Sequence, residues 1–415
     1  MNKDYSQTFE KLKQYIHNSS SNNVAWIGDT HSPLGATQIA LNYSTNMRAD
    51  SQHHREYDTV VIYAKSIFEY LDSWRLILDE SIRLLKNEGV FIIRSTDSEF
   101  GTLFELKSLL YRNKLLSVIL LEQFKCLDGS TVSVLKIKKE SRIDYQDKSW
   151  TFGILSNGKK IDEVISLVSS IVKANKKNLP LELIIAGPEI EQLNNFDLPV
   201  KYVTPRINDD LPRIAEKKNR IIETAAHSNI AIFHDRYIVN EDFFEGFEHF
   251  GYDFEFLTVR QFYHDGSDFP GYTAFIKKEK RWQTPLNIKN HDVGLPGAFL
   301  NGGLTILKRN IPVFPIFNDL LLHNEAEDVE LGFYLTENGM TPRFNGFSSA
   351  VTVGIPLDYT STFVEYTQKT AQRPFILRAM RRVAVSIWVR LPVNLKDKIK
   401  SSNLYGKIKN TVRPG

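Results

Sequence analysis

One acidic residue in the middle of the chain stands where a metal ligand would be placed. Asp235 follows the apolar run 230–233, which has the composition of a buried strand. A carboxylate at the end of such a strand can hold Mg²⁺ or Mn²⁺, because these hard cations take oxygen ligands. We therefore predict Asp235 as a metal ligand, and the alternative is a strand-terminal Asp that caps a turn. Of its neighbours, His234 could be a further ligand, and the Arg236 guanidinium could pair with phosphate.

Two adjacent carboxyl groups lie at the start of another element. Glu327 and Asp328 precede Leu331 and Leu335, whose spacing predicts a helix. Such a carboxylate can take a proton from a hydroxyl group as a general base. The alternative is a pair of acids that complement the positive end of the helix dipole.

Between residues 149 and 358, apolar strands alternate with helices. Near-continuous apolar strands of this kind are typical of a parallel sheet that is covered on both faces. We predict an α/β, Rossmann-like domain here. The predicted strands are 151–156, 181–187, 200–203 and 230–233, and the predicted helices are about 164–172 and 211–227.

This domain resembles the GT-A glycosyltransferases, especially the family-2-like group. The resemblance rests on a basic-Asn helix start at 216–225, a strand ending in His-Asp-Arg at 230–237 in place of Asp-x-Asp, a helix start at 241–244, a Gly-Gly strand at 297–309 and a Glu-Asp motif at 324–331. It implies a GT-A (Rossmann-like) nucleotide-sugar-binding domain at 149–358, inversion at the anomeric carbon, and a divalent metal (Mn²⁺ or Mg²⁺) on the donor diphosphate.

The resemblance also implies roles for individual residues. Asp328 would be the catalytic base, Glu327 would hydrogen-bond the acceptor sugar, and Asp235 would bind the metal. His323 is a further metal-ligand candidate, with a structural role as the alternative, and Lys217 is expected on a solvated helix face. The implied donor-binding residues are Ser156, Asn157, Glu189, Lys218, Asn219, His234, Asp235 and Arg236, and the implied acceptor-binding residues are Gly302, Gly303 and Glu327.

Residues 1–148 show a second α/β pattern. Strands are predicted at 24–28, 57–63 and 90–94, a helix from Trp74 to Leu85 that 86–89 stops, and a closing antiparallel pair at 116–121 and 131–137. The stretches 57–61, 68–72 and 83–89 resemble the later part of a class I S-adenosylmethionine-dependent methyltransferase, which implies a Rossmann-like domain. The turn 27–35 has only two glycines, Gly28 and Gly35, so close backbone approach to that cofactor is not provided. We expect a degenerate domain that does not bind S-adenosylmethionine, followed by a charged linker at 137–148.

The C-terminal region, 359–415, has a different composition. From Lys369 onward there are twelve Lys or Arg residues and one acid, a net charge of 12 − 1 = +11, whereas the whole chain has +3. Helical spacing from Ile376 to Leu391 predicts a basic amphipathic helix, which is typical of binding to an anionic membrane surface. The alternative is a helix packed on the preceding domain. No recognisable nucleic-acid-binding fold accompanies the basic residues, so we expect no nucleic acid partner.

Composition restricts the remaining possibilities. The single cysteine, Cys126, excludes an intramolecular disulfide, and the sequence shows neither a signal peptide nor a membrane span. We expect a cytoplasmic protein, peripheral on the inner face of the membrane. Its expected function is transfer of a sugar from a nucleotide donor to a glycan acceptor in bacterial surface polysaccharide synthesis (capsule or lipopolysaccharide). A lipid-linked glycan is one form that the acceptor could take, and a homo-oligomer is possible. The alternatives are a bifunctional methyltransferase–glycosyltransferase and a non-catalytic scaffold or carbohydrate-binding protein.

Overall fold

The computed structural model describes residues 3–16, 23–28, 31–32, 35–140, 142–205, 212–274, 285–289, 291–311, 315–359 and 363–365. These residues form a six-stranded, a nine-stranded and a four-stranded sheet. The predicted basic helix within 359–415 lies outside the described residues. No helix of the described part of the chain is long and apolar enough to cross a membrane.

The six-stranded sheet is built by the N-terminal region. Its strand order is β2-β1-β3-β4-β6-β5, in which β1, β2, β3 and β4 pair in parallel and β6 pairs antiparallel with β4 and with β5. The predicted antiparallel pair is thus present, whereas the likeness to methyltransferases stays a prediction. The elements are α1 (Lys3–Ile16), β1 (Val24–Ile27), β2 (Thr37–Ile39), β3 (Tyr57–Ile62), α2 (Trp74–Leu84), β4 (Leu85–Ser95), α3 (Leu103–Arg112), β5 (Leu116–Lys125) and β6 (Thr131–Lys139), with short 3-10 helices at Tyr43–Thr45, Ser51–His53 and Ile67–Ser73.

The segment predicted to stop helix α2 is instead part of a strand. β4 begins at Leu85, and Gly89 is paired with Ile137 of β6. A Cβ atom on Gly89 would lie 2.8 Å from the carbonyl oxygen of Asp58. The glycine therefore allows two strands to approach closely, and its interpretation as a helix stop was wrong.

The nine-stranded sheet belongs to the following region, and its order is β11-β18-β12-β17-β10-β7-β8-β9, with β13 paired to β12. The strands β10, β7, β8 and β9 are parallel, and β17 is antiparallel to β10. Its elements are β7 (Trp150–Leu155), α4 (Ile161–Ala174), β8 (Leu181–Ala186), a 3-10 helix (Glu191–Asn195), β9 (Val200–Val203), α5 (Ile214–Thr224), β10 (Asn229–His234), β11 (Tyr237–Val239), α6 (Phe243–Phe250), β12 (Phe256–Tyr263), β13 (Asp268–Phe269), β17 (Leu304–Lys308), α7 (Glu327–Glu337) and β18 (Arg343–Thr352).

A small sheet adjoins it, with the order β16-β14-β15-β19. Its strands are β14 (Tyr272–Ala274), β15 (Leu286–Asn287), β16 (Ala298–Leu300) and β19 (Val364–Glu365). Strand β16 leads through the Gly302–Gly303 turn into β17, and helix α7 contacts β16. The small sheet therefore lies beside the Gly-Gly turn that the sequence singled out.

Every residue of β7 and β8 is buried, as the apolar composition of these strands predicts. Helix α5 packs closely on β7, since a Cβ on Gly153 would lie 2.4 Å from Cγ2 of Ile221. On the side of the sheet opposite α5, aromatic side chains of α6 fill the core. Trp150 of β7 contacts the rings of Phe243 and Phe247 there. This packing fixes the carboxyl ends of β7 and β10 relative to the start of α5.

Buried charged groups join the N-terminal region to the nine-stranded sheet. Arg83 of α2 pairs with Asp253 and Glu255. Arg343 of β18 pairs with Asp79 at 2.6 Å and Glu80 at 3.0 Å. Helix α2 is consequently buried on nearly all sides, because the sheet covers one face and these partners cover another.

The predicted linker contributes to the same contact. Its first residues, through Lys139, continue β6, Ile143 is buried, and the hydroxyl of Tyr145 donates a 2.8 Å hydrogen bond to Glu255. At Ile143 and Tyr145 the predicted linker is thus packed against its neighbours, so its described part is not a free linker. The proposed domain boundary at 148/149 itself stays a prediction.

Candidate active site

A cavity of about 530 Å³ opens where β7 and β10 end at their carboxyl termini. Helices α4, α5 and α7 each begin at the wall of this cavity. None of the three helix starts has a side-chain cap. The residues that line it are Leu155, Ser156, Asn157, Lys160, Pro212, Ile214, Lys217, His234, Asp235, Arg236, Asn301, Gly302, Gly303, His323, Asn324, Ala326, Glu327, Asp328 and Tyr359.

The sequence-predicted residues therefore divide into two groups. Most of them meet in the cavity, on the donor side formed by the ends of β7 and β10 or beside the Gly-Gly turn. Glu189 is exposed and does not line it. Lys218 and Asn219 lie behind its wall.

The register of α5 explains the position of Lys218. Its side chain is fully buried, and Nζ donates to the carbonyl of Gly302 at 2.8 Å and to Glu327 at 2.9 Å. Lys217, one residue earlier and about 100° round the helix, lines the cavity instead. The expectation of a solvated Lys217 was wrong, and Lys218 is placed to hold Glu327 and the Gly-Gly turn.

Asn219 also serves the wall. Its amide group accepts from the backbone N–H of Phe317 at 3.0 Å and donates to the carbonyl of the same residue at 2.8 Å. Both hydrogen-bonding ends of the side chain are thereby occupied. Asn219 therefore fixes the segment that leads towards α7. The centre of the Phe317 ring in this segment lies 4.7 Å from the ammonium nitrogen of Lys218.

The two glycines are required by close packing. A Cβ on Gly302 would lie 2.9 Å from Oε1 of Glu327, and a Cβ on Gly303 would lie 2.8 Å from the Tyr237 hydroxyl. The N–H of Gly302 donates to Oδ2 of Asp328 at 2.8 Å. The turn can therefore approach both carboxylates only because side chains are missing at these positions.

Glu327 and Asp328 differ in their electrostatic environment. Burial alone would raise the pKa of Glu327, but the charge of Lys218 and its hydrogen bond lower it. Burial raises the pKa of Asp328 to about 6, and the negative charge of Glu327 acts in the same direction. Glu327 is thus held as a carboxylate, whereas Asp328 exchanges a proton near neutral pH, as a general base must.

The backbone before α7 adopts an unusual conformation. Asn324 and Ala326 have φ values of 65° and 60°, in the left-handed region that an alanine rarely adopts. Such strain persists only where the surroundings impose it and is frequent at functional sites. Here it turns the first residues of α7 towards the Gly-Gly turn.

At the end of β10, burial changes the protonation of two side chains. It lowers the pKa of His234 well below its usual range, and the positive charges of Lys218 and Arg236 add to this effect. The imidazole is therefore neutral at pH 7. Burial raises the pKa of the half-buried Asp235, against the charge of Lys160. Among the described residues, Nε2 of His234 and Nε of Arg236 are buried nitrogens without a hydrogen-bond partner.

The side chains around Asp235 do not form the oxygen-rich set that Mg²⁺ or Mn²⁺ prefers. On the strand they are an imidazole, His234, and a guanidinium, Arg236. No group of three or more His, Cys, Asp or Glu residues in the described ranges is arranged to hold a metal ion. Of the residues that the structure describes on the donor side, Asp235 is the one carboxylate that could be a ligand, and metal dependence stays a prediction.

The sequence missed several lining residues. Lys160 begins α4 and Tyr359 comes from the start of the C-terminal region. A lysine one residue before a predicted helix that follows a strand was a usable signal, because a helix N-terminus attracts anions. Gly187, directly after β8, allows the ends of β7 and β8 to lie close together, because a Cβ there would lie 2.2 Å from the carbonyl oxygen of Ser156.

No protein-family model matches this sequence, and no curated protein matches it either. Similar solved structures are GalNAc-T7 with UDP, GalNAc and Mn²⁺ (11% identity, 52% of this chain and 45% of that chain, TM-score 0.36), S. aureus TarS 1-349 (13% identity, 60% and 69%, TM-score 0.32) and the inositol-1-phosphate CTP transferase from T. maritima (13% identity, 54% and 94%, TM-score 0.32). The chain thus spans less than half of the first of these structures. At this level of similarity none of them determines the reaction of this chain, which has to be argued from the cavity itself.

Proposed function

We propose that this chain is a GT-A-like glycosyltransferase that uses a nucleotide-sugar donor. One observation carries the proposal: three uncapped helix starts and the cations Lys160, Lys217 and Arg236 surround a cavity that also contains the Glu327–Asp328 pair. Helix N-termini and basic side chains attract a phosphorylated ligand. A carboxyl group with a raised pKa beside them supplies the base that transfer to a hydroxyl group requires.

The proposed step uses Asp328 as the base. The acceptor hydroxyl oxygen attacks the anomeric carbon of the donor sugar, and its proton moves to the Asp328 carboxylate. The bond between the anomeric carbon and the diphosphate oxygen breaks, and its electron pair stays on the diphosphate. Glu327, held by Lys218, is placed to hydrogen-bond the acceptor.

The donor would occupy the side of the cavity formed by the ends of β7 and β10. Ser156 and Asn157 follow β7 directly and line the cavity, and in this proposal they contact the nucleoside. Gly302 and Gly303 lie between this side and the Glu327–Asp328 pair, where the transferred sugar has to meet its acceptor.

The test is a thermal-shift screen of the full chain with UDP, GDP and CMP sugars, each with and without Mn²⁺. A ligand that binds only the folded state stabilises it in proportion to the logarithm of its concentration over Kd. We expect at least one nucleotide sugar to raise the melting temperature, and radiolabelled sugar to reach a glycan acceptor. Stabilisation by no nucleotide sugar would contradict the proposed function and favour the non-catalytic scaffold.

We further propose that the acceptor is a glycan, in lipid-linked form, of bacterial surface polysaccharide synthesis and that the basic C-terminal region binds the membrane on which it is made. The support is the +11 charge that follows the cavity residue Tyr359. Each basic residue near an anionic leaflet contributes about 1 kcal/mol. Flotation with phosphatidylglycerol vesicles should retain the protein, phosphatidylcholine vesicles should not, and Glu substitutions at Arg378, Arg381 and Arg382 should abolish retention. Retention unchanged by these substitutions would contradict the membrane role.

The bifunctional alternative has a specific argument against it. The guanidinium of Arg94 donates to the carbonyls of Tyr63 and Ala64, just beyond the carboxyl end of β3. Ligands of such sheets bind in the crevice outside these strand ends. Because Arg94 takes up hydrogen-bonding groups at this strand end, we expect equilibrium dialysis to show no retention of S-adenosylmethionine. Binding in the micromolar range would restore the bifunctional hypothesis.

A further inference from the structure

The donor side of the cavity has an excess of positive side-chain charge. Among the described residues, Lys160, Lys217 and Arg236 line it together with one carboxylate, Asp235, which makes a net charge of 3 − 1 = +2. Glu327 does not alter this balance, because its charge is paired with Lys218, whereas Asp328, with a pKa of about 6, lowers the net charge of the described cavity lining to 2 − 1 = +1 above neutral pH. A pocket with this charge attracts an anion without help from a metal ion.

Other features of the donor side also favour a bound anion. Helices α4 and α5 both begin at the donor side without a side-chain cap. Within the described residues, Nε of Arg236 and Nε2 of His234 are buried nitrogens that have no hydrogen-bond partner. Buried nitrogens of this kind cost free energy unless a ligand or water completes their hydrogen bonds.

Arg236 is held in a fixed position beside the Gly-Gly turn. Its Nη2 lies 3.2 Å from the place that a Cβ on Gly303 would occupy, so the glycine makes room for it. A guanidinium can donate two parallel hydrogen bonds to phosphate oxygens, and it keeps its charge at any physiological pH. The position that would carry a second acidic ligand in an Asp-x-Asp site is thus occupied by a group that binds phosphate directly.

We propose that Arg236, Lys160 and Lys217, together with the two helix starts, bind the diphosphate of the donor in place of a divalent cation. This inference rests on the proposed function and identifies the groups that bind the diphosphate of the nucleotide-sugar donor. Arg236 contacts the diphosphate directly and stabilises the negative charge that grows on it as the sugar leaves. In this arrangement Asp235, which is near enough to Lys160 and Arg236 for their charges to act on it, is a counter-ion and not a metal ligand.

Calorimetry with UDP, GDP and CDP tests the inference on the full chain. We expect one of these nucleotides to bind with the same Kd, within about threefold, in EDTA and in Mn²⁺. Arg236→Met should weaken this binding by about tenfold or more in both buffers, because a charge-assisted contact is lost. Asp235→Asn should bind in EDTA at least as tightly as the unmodified chain, since it removes a negative charge.

A matched control is Arg260→Met. Arg260 is exposed, pairs with Asp268 and does not line the cavity, so nucleotide affinity should stay unchanged. Binding that requires Mn²⁺ and disappears in Asp235→Asn would overturn the inference and leave the proposed function in place. Binding of none of the three nucleotides in either buffer would instead count against the proposed function itself.

Discussion

Two clusters of buried charge, one between the N-terminal region and the nine-stranded sheet and one at the cavity, have opposite electrostatic character. In the interface cluster, burial opposes ionisation of Glu80, but Arg48 and Arg343 hold its pKa well below the usual range. Burial also opposes ionisation of Asp253, but the charges of Arg55 and Arg83 lower its pKa. At the cavity, burial prevails and raises the pKa of Asp328 to about 6.

The difference separates a structural role from a chemical one. Carboxylates that are fully paired stay charged and hold two regions together, and removal of one partner leaves a buried charge uncompensated. A carboxyl group whose pKa is moved towards neutrality can exchange a proton during a reaction. Both roles occur within the cavity. Lys218 pairs with Glu327, which stays charged, and Asp328 is the carboxyl group of the Glu327–Asp328 pair that titrates.

The largest effect is expected at Asp328. Asp328→Asn keeps the size of the side chain but cannot take a proton, so the transfer rate should fall by about 10²–10⁴-fold. Donor affinity should be nearly unchanged, whereas the free energy of unfolding should fall by about 1–3 kcal/mol, because one of the two backbone N–H groups that Asp328 accepts from loses its acceptor. Steady-state kinetics, calorimetry and chemical denaturation measure the three quantities.

Glu327→Gln is the companion variant and should mainly raise the KM for the acceptor. A dead Glu327→Gln together with an active Asp328→Asn would exchange the two roles. Full activity in both variants would mean that the acidic pair is only a helix start.

In the interface cluster, a substitution should lower stability and leave nucleotide binding intact. Arg343 is fully buried and bonds Asp79, Glu80 and Asn46, so Arg343→Met leaves two carboxylates without this partner. Breaking a buried pair costs about 3–5 kcal/mol. Urea denaturation should show this loss, while the fraction that remains folded should still bind nucleotide.

Arg260→Met serves as the matched control, because Arg260 pairs with Asp268 at the surface and surface substitutions change stability by about 0.5 kcal/mol or less. A loss below about 1 kcal/mol in Arg343→Met would show that the interface charges do not hold the two regions together.

Much of the fold could be predicted from local patterns. The strands at 151–156, 181–187, 200–203 and 230–233 match observed strands to within about one residue, because a fully buried parallel strand needs a continuous apolar run. The helix through Trp74 and Ile77 was also recognisable, but its burial on nearly all sides was not. That property depends on Arg343 and Asp253, which are distant in sequence and have no local signal.

The candidate site was predictable in its elements and less so in its side chains. Asp235, Glu327 and Asp328 meet in one cavity because strand ends and helix starts gather at one edge of a parallel sheet. That Lys217 lines the cavity and Lys218 is buried could not be foreseen. Adjacent residues point in directions about 100° apart around a helix, and only packing decides which of them faces the cavity. Tyr359 was missed because only the folded chain brings it to the cavity, whereas Lys160 had a usable signal in its position one residue before a predicted helix.

The smallest effect, and the sharpest test of the comparison, is a shift of the pH profile. A base works in its deprotonated form, so the transfer rate should be constant above neutral pH and fall about tenfold per unit below pH 6, where Asp328 becomes protonated. Asp328→Asn should lose this limb in its residual activity. The interface carboxylates should contribute no limb at this pH, because the pKa values of Glu80 and Asp253 are lowered.

Two substitutions should move the limb in opposite directions. The charge of Glu327 raises the pKa of Asp328 and the charge of Lys218 lowers it. Glu327→Gln should therefore move the limb to lower pH, and Lys218→Met should move it to higher pH, whatever each variant does to the maximal rate. A loss of folding changes the amplitude of a pH profile and gives no reason for shifts of opposite sign, so the pair separates an electrostatic effect on Asp328 from simple destabilisation. If the limb stays in place in both variants, it belongs to another group and Asp328 is not the base.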